Sequence, residues 1–500
     1  MTLAVVHTRA LTGVNALPVD VEVHLAGGLP AMSIVGLAET AVRESKDRVR
    51  AAIANSQFEF PQRKIIVNLA PADLPKQGGR YDLAIALGVL AATRQLPVEA
   101  LPGYEFVGEL ALGGMLRPVL GALPTALAAA GSARTLIVPA ENASEAALAS
   151  EANVLQAGSL LEVVAHLVGQ SPLQPGTRPD ELAHPDDTQD LDDVRGQHQA
   201  KRALEIAAAG AHNLLLIGPP GTGKTMLATR LNGILPMLGE SEALASAAIA
   251  SLNGLFDAQR WRRRPFRQPH HTASAVALVG GGSTPRPGEV SLAHHGILFL
   301  DELPEFSRQV LEVLRQPLED GRIAISRAAG KAEFPARFQL VAAMNPCPCG
   351  YAHDSQRQCR CSPAQIERYL QRLSGPLLDR IELQVSVPRL APAEFRKTAS
   401  PHRESQRVRT RVGAARDRQM KRCGKLNAHL SNTETERHRV HPPALQLLAE
   451  ATRHLQLSPR AYHRTLRVAR TIADLAESEE IDTAHVAEAI TLRGDRTNFI

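Results

Sequence analysis

Aromatic side chains are scarce. Phe, Trp and Tyr make up 3% of the 500 residues, with a single Trp. That argues against rows of aromatic rings as the main ligand-binding device, as in base-stacking platforms, and leaves Ala, Leu, Val and Ile to build the cores. Long apolar runs are missing too. None approaches the roughly 18 residues of a membrane helix, and His7 and Arg9 interrupt the N-terminus too early for a signal-peptide core. The expectation is a cytoplasmic chain without a membrane partner. Five cysteines exclude a disulfide scaffold, but four of them fall between 347 and 361. With 44% hydrophobic and 21% charged residues the chain reads as folded and soluble. Its length suits about three domains of roughly 100–200 residues each. The net charge of +5 permits a polyanionic partner without demonstrating one.

Residues 169–193, GQSPLQPGTRPDELAHPDDTQDLDD, hold four Pro and six Asp without apolar periodicity, and read as a linker that cannot order itself. The segment before it, 1–168, mixes strand and helix patterns. VDVEVHLA (19–26) alternates with period two, 40–56 has helical spacing, RKIIVNLAP (63–71) reads as a strand and YDLAIALGVLAAT (81–93) as a buried helix. Residues 194–395 alternate α and β again, and 396–500 read as helical. The stretch 396–425 carries eleven Lys or Arg against two acids. It is either a solvated helix face or a nucleic-acid patch.

Three segments carry chemistry. LLLIGPPGTGKTMLATRL (214–231) places Gly218, Pro219, Pro220, Gly221, Thr222, Gly223, Lys224 and Thr225 between an apolar strand and an amphipathic helix, as a phosphate-binding loop requires. Lys224 suits the β- and γ-phosphates of ATP, and Thr225 can ligate Mg2+. GILFLDELPEF (296–306) is a buried strand ending in Asp301, a second Mg2+ ligand, and Glu302, which can polarise the attacking water. FQLVAAMNPCP (338–348) ends a third strand in Asn345, an amide able to orient that water.

With these motifs, and with LSGPLLDRIELQVSVP, LSPRAYHRTLRVARTIADLA and the N-terminal NLAPADLPKQGGRYDLAIALG, nearly the whole chain resembles the magnesium-chelatase-like AAA+ ATPases of the ComM/YifB family. The fold implied is α/β: a Lon-protease-like (S5-like) N-terminal domain, a central AAA+ P-loop domain and a C-terminal helical lid. The resemblance implies that Asn345 is sensor 1, Arg380 the arginine finger for a neighbour's γ-phosphate and Arg460 sensor 2, with Arg464 a competitor. A finger given in trans implies a homo-oligomer, a hexameric ring. The family's activity is implied as well: a DNA helicase promoting branch migration in natural transformation, acting on single-stranded and branched DNA. Alternatives are a magnesium-chelatase motor subunit, which by the same resemblance lacks both the Lon-like domain and the cysteine cluster, or a protein-remodelling ATPase.

GRIAISRAAGKAEFPARF (321–338) reads as a hairpin with Arg327 and Lys331 at its tip. The family carries a pore-facing hairpin here, and cations at such a tip suit DNA phosphates. RRRPFRQPHHTASAVALVGGG (262–282) resembles the branch's helix-2 insert, a mobile DNA-contacting or inter-subunit loop rather than a metal site at His270 and His271. Cys347, Cys349, Cys359 and Cys361 meet the ligand count of structural Zn2+, with C-x-C spacing in place of the commoner C-x2-C. In the N-terminal domain no serine occurs from 65 to 100, so a serine–lysine protease lacks its nucleophile. The domain reads as an inactive scaffold for ring assembly or DNA handling, in which Lys76 and Arg80 belong to a structural turn rather than to a DNA contact.

Overall fold

In the computed structural model the described residues are 3–494, without 38, 180–188, 283–284, 328–329, 353, 355 and 391–402; the side chains at 40–41, 326–327 and 330–331 also lie outside the description. The N-terminal domain is built on an eight-stranded sheet. Its centre is the hairpin Leu3–Thr12/Asn15–Ala26, paired from Leu3↔His24 to Thr12↔Asn15. The period-two pattern holds: Val19, Val21, Val23 and Leu25 face the core. Lys64–Ala70 extends the sheet on one side, and Tyr104–Phe106, Thr135–Pro139 and Val154–Ala157 add parallel strands on the other. Helix Asp82–Ala92 buries all its residues against this sheet, as its unbroken apolar run requires.

The second domain is a five-stranded, all-parallel sheet in the order Phe266–Arg267, Ile297–Leu300, Gln339–Met344, Leu214–Ile217, Leu383–Ser386. The three central strands are wholly buried, which explains their continuous apolar runs. The lid helices Glu404–Cys423 and Pro459–Leu475 pack on helix His198–Gly210 and share its hydrophobic core.

The described parts of 169–193 are more ordered than the composition of the stretch predicts. Gln174–Pro175 pairs antiparallel with Val154–Ala157 and closes one edge of the first sheet. At its other end Leu191 is buried in the core of the second domain. Asp190 accepts from the backbone of Ser405 at 3.2 Å, and Asp192 from Arg403 and Glu404 at 3.1 and 3.3 Å. These acids therefore satisfy N–H groups that a helix start leaves open. Residues 180–188 lie outside the described residues.

The two α/β domains are docked. Val119, Ala122 and Leu123 pack with Leu238, Ala243, Ala248 and Trp261 in one buried cluster, and Gly121 N–H donates to Ser251 O at 3.0 Å. The turn of the first hairpin also reaches the second domain: Leu11 and Val14 pack against the buried cluster that includes Ile323, Ile325 and Phe334 of hairpin Arg322–Arg327/Gly330–Pro335.

Candidate nucleotide site and metal centre

The phosphate-binding loop follows strand Leu214–Ile217 and runs into helix Lys224–Ile234. Gly221 and Gly223 hold φ of +78° and +86°, and space around their Cα atoms is open. This is the concave run of backbone N–H groups that cradles phosphates at a helix start. Lys224 Nζ donates to Gly218 O (2.7 Å), Pro219 O (2.9 Å) and Asn345 Oδ1 (3.1 Å). Those three bonds use the whole donor capacity of an ammonium. Burial pushes its pKa down to about 8, against the pull of Asp301 and Glu302. Thr225 Oγ1 donates to Asp301 Oδ2 at 2.7 Å. A hydroxyl and a carboxylate so close are a fitting donor pair for Mg2+. Loop, strand-end acids and Asn345 thus converge, as their positions at the carboxyl ends of parallel strands require.

Glu302 carries a left-handed backbone, φ +52°, at the strand end. His271 lies beside it, Nδ1 3.3 Å from Glu302 Oε2, its ring edge-on to Phe306 at 6.5 Å. This neighbour escaped the sequence reading. The signal was the short Phe266–Arg267 strand, which pairs with Ile297–Leu300 and so carries the following histidines to the end of the acid-bearing strand.

Arg380 sits elsewhere. Its backbone carbonyl accepts from Asn213, the residue before strand Leu214–Ile217, whereas the phosphate loop follows that strand. Four residues of strand, about 13 Å at 3.3 Å per residue, separate it from the loop of its own chain. Arg380 is only 4% exposed, and its guanidinium bonds to Glu319 and Pro376 O. Arg460 is exposed in the first turn of helix Pro459–Leu475. Arg464, one turn on, pairs with buried Glu382 at 3.0 Å.

The four cysteines come together: their Sγ atoms all lie within 4.8 Å of one another, with 347–349, 349–359 and 347–359 separations of 3.4, 3.6 and 3.7 Å. Tetrahedral zinc with Zn–S near 2.3 Å sets sulfurs about 3.8 Å apart, so the donor set fits Zn2+. The cluster begins two residues after Asn345, and Gly350 lies against Pro220 of the phosphate loop.

Arg327 and Lys331 fall in the paired hairpin, in register with Gly330 and Ser326 respectively, but their side chains lie outside the described residues. The basic stretch is largely spent on the fold: Arg411 pairs with Glu205 at 2.6 Å, Arg422 with Asp474 at 2.7 Å, and Arg409 and Arg416 donate to Gly233 O and Ala208 O at 2.8 Å. Lys76 is buried with Nζ on Pro71 O, and Arg80 donates to Thr125 Oγ1 at 2.6 Å. Lys76 thus bonds back within its own turn, whereas Arg80 ties the turn to helix Ala122–Ala129.

A parallel P-loop sheet with strand-end acids, behind a Lon-like α/β domain and before a helical lid, defines an AAA+ ATPase. Comparison narrows the class. Residues 190–395 match the family described as "Magnesium chelatase, subunit ChlI", 21–142 match "Subunit ChlI of Mg-chelatase" and 402–493 match its C-terminal family. "Uncharacterized protein YifB" of Salmonella typhimurium is 53% identical over 99% of this chain and 97% of its own length. "Competence protein ComM" of Haemophilus influenzae is 52% identical over 99% and 98%. The chain belongs to the magnesium-chelatase-like ComM/YifB family. A shorter stretch, 31% of this chain and 37% of the relative, is 28% identical to "Holliday junction branch migration complex subunit RuvB" of Pseudarthrobacter chlorophenolicus. Because a chelatase-subunit family covers 21–142, the N-terminal domain by itself does not argue against a chelatase motor. No helix among the described residues is long and apolar enough to cross a membrane.

Proposed function

We propose that this chain is a ring-forming ATPase that couples ATP hydrolysis to translocation on single-stranded and branched DNA, with helicase and branch-migration activity in the recombination of taken-up DNA. The observation that carries the ATPase half is the convergence of Lys224, Thr225, Asp301 and Asn345. In this reading the backbone of 218–225 cradles the β- and γ-phosphates, and Lys224 turns from the loop carbonyls to the phosphate oxygens. Thr225 and Asp301 would hold Mg2+, whose charge offsets that of the phosphates. Glu302 polarises the attacking water and Asn345 orients it.

Arg380, too far from its own phosphate loop, serves the neighbour's γ-phosphate, joined by the exposed Arg460. Hydrolysis then depends on a homo-oligomer, a hexameric ring. Cys347, Cys349, Cys359 and Cys361 hold a structural Zn2+. Support for DNA comes from relatives named for competence and for Holliday-junction branch migration, and from the hairpin bearing Arg327 and Lys331.

Glu302→Gln should bind ATP and fail to turn it over; normal turnover would overturn the assignment of Glu302. Arg327→Ala with Lys331→Ala should keep basal turnover and lose stimulation by DNA; unchanged stimulation would remove the hairpin from the DNA path. The family descriptions favour a second reading, a chelatase-type motor. Its signature is turnover indifferent to DNA and dependent on a partner protein.

A further inference from the structure

At the end of the parallel sheet away from the phosphate loop lies a cavity of about 660 Å³. Asn213, Gly296, Gln339 and Glu382, at the amino ends of four strands, form its floor, and the lid closes over it. The volume falls within the roughly 300–1,000 Å³ of small-molecule sites. Arg and Lys outnumber acids in its lining, six to four.

The charges are unevenly satisfied. Arg464 is matched by Glu382, and Lys425 by Glu434 outside the cavity. Arg416, from the lid helix Glu404–Cys423, is 8% exposed and donates only through Nε, to Ala208 O; neither Nη has a partner among the described residues. Arg264 lies close by, its Nε and Nη1 given to Pro236 O and His295 O at 2.8 Å and its Nη2 turned to the one carboxylate that attracts both arginines, Glu242, 3.5 Å from Arg264 and 3.6 Å from His295. Arg337 stands exposed at the mouth, with no side-chain partner among the described residues. Burial and the neighbouring Arg264 push the Arg416 guanidinium down to about 9, so it stays charged at neutral pH in surroundings that disfavour the charge. The Nη groups of Arg416 are therefore free to meet an anion in the cavity that the residue lines.

We infer that this core–lid cavity binds a compact phosphate-bearing anion, an inorganic diphosphate or the diphosphate of a nucleotide, on Arg416, Arg264 and Arg337. Guanidinium and phosphate match in geometry and charge. The bound anion ties the lid to the core, since Arg416 comes from the lid and Arg264 from the core.

The test uses the full chain with Lys224→Ala, which disables the phosphate loop. Calorimetric titration with inorganic pyrophosphate, and separately with ADP, should show saturable binding to this variant and a raised melting temperature. Adding Arg416→Met should weaken binding about tenfold or more, the usual worth of a charged hydrogen bond. Arg337→Gln, an exposed change that leaves packing intact, should weaken it as well. Glu242→Gln should tighten it, a gain that misfolding cannot imitate. Stronger binding of ADP than of pyrophosphate would identify the nucleotide as the natural source, and equal binding the phosphates alone. Absence of saturable binding to Lys224→Ala, or affinities unmoved by Arg337→Gln and Glu242→Gln, would overturn the inference.

Discussion

Replacing Gly350 by Ala should damage ATP turnover from inside the cysteine loop. Gly350 has φ +85°, and a Cβ there would stand 2.6 Å from Pro220 Cδ and 3.1 Å from Pro220 Cγ. A left-handed Ala costs roughly 1–2 kcal/mol, and overpacking against a ring fixed to the backbone adds roughly 1–3 kcal/mol. The relief available is a shift of Pro220, which belongs to the phosphate loop, or of the segment carrying Asn345 and the cysteines. If half of that strain falls on the nucleotide-bound state, kcat/KM drops about 5- to 70-fold, at 1.36 kcal/mol per decade. Steady-state ATPase kinetics and thermal melting measure it. The control is Gly375→Ala, where a Cβ meets nothing within 4 Å. A Gly350→Ala variant with normal kcat and KM would refute the mechanical link between cysteine loop and phosphate loop.

Three further outcomes are expected. Because Lys224 is held near pKa 8 by burial, phosphate contact should raise it. Mg-ATP binding then takes up a proton above about pH 8 and weakens as pH climbs; calorimetry in buffers of different ionisation enthalpy reads this, and it should vanish at pH 6. The His212 ring is buried against Thr471 Oγ1 at 2.8 Å and pushed down to about 3. The unfolded chain binds that proton near pH 6.5, so stability is fully present above this value and is lost as pH falls towards 3. His212→Asn should flatten that loss by up to about 1.4 kcal/mol per pH unit in urea unfolding. Stripping metal with a strong chelator, or Cys359→Ser, should lower both melting temperature and ATP turnover, and the purified protein should contain one zinc per chain by metal analysis.

The features legible in the sequence were those encoded over short spacings: the period-two hairpin, the buried helix after Tyr81, the phosphate loop and the acid-ended strand. Each is a local pattern whose structure follows from its own residues. What stayed hidden depends on partners far along the chain. Asp190 and Asp192 looked like disorder-promoting acids because the helix they cap begins at Glu404. The basic stretch looked available because its counter-charges, Glu205 and Asp474, lie some fifty or more residues away in sequence. The approach of His271 to Glu302 needed the pairing of two strands separated by some thirty residues. The meeting of Gly350 with Pro220 needed the parallel pairing of Leu214–Ile217 with Gln339–Met344, strands more than a hundred residues apart.

The central claim is that the converged site of Lys224, Thr225, Asp301, Glu302 and Asn345 drives movement on DNA. ATP turnover of the purified full-length protein, at low salt, with and without single-stranded and branched DNA, tests it most directly. The account predicts Mg2+-dependent turnover that DNA stimulates and that Glu302→Gln abolishes. Turnover at the same rate with and without either DNA would contradict it.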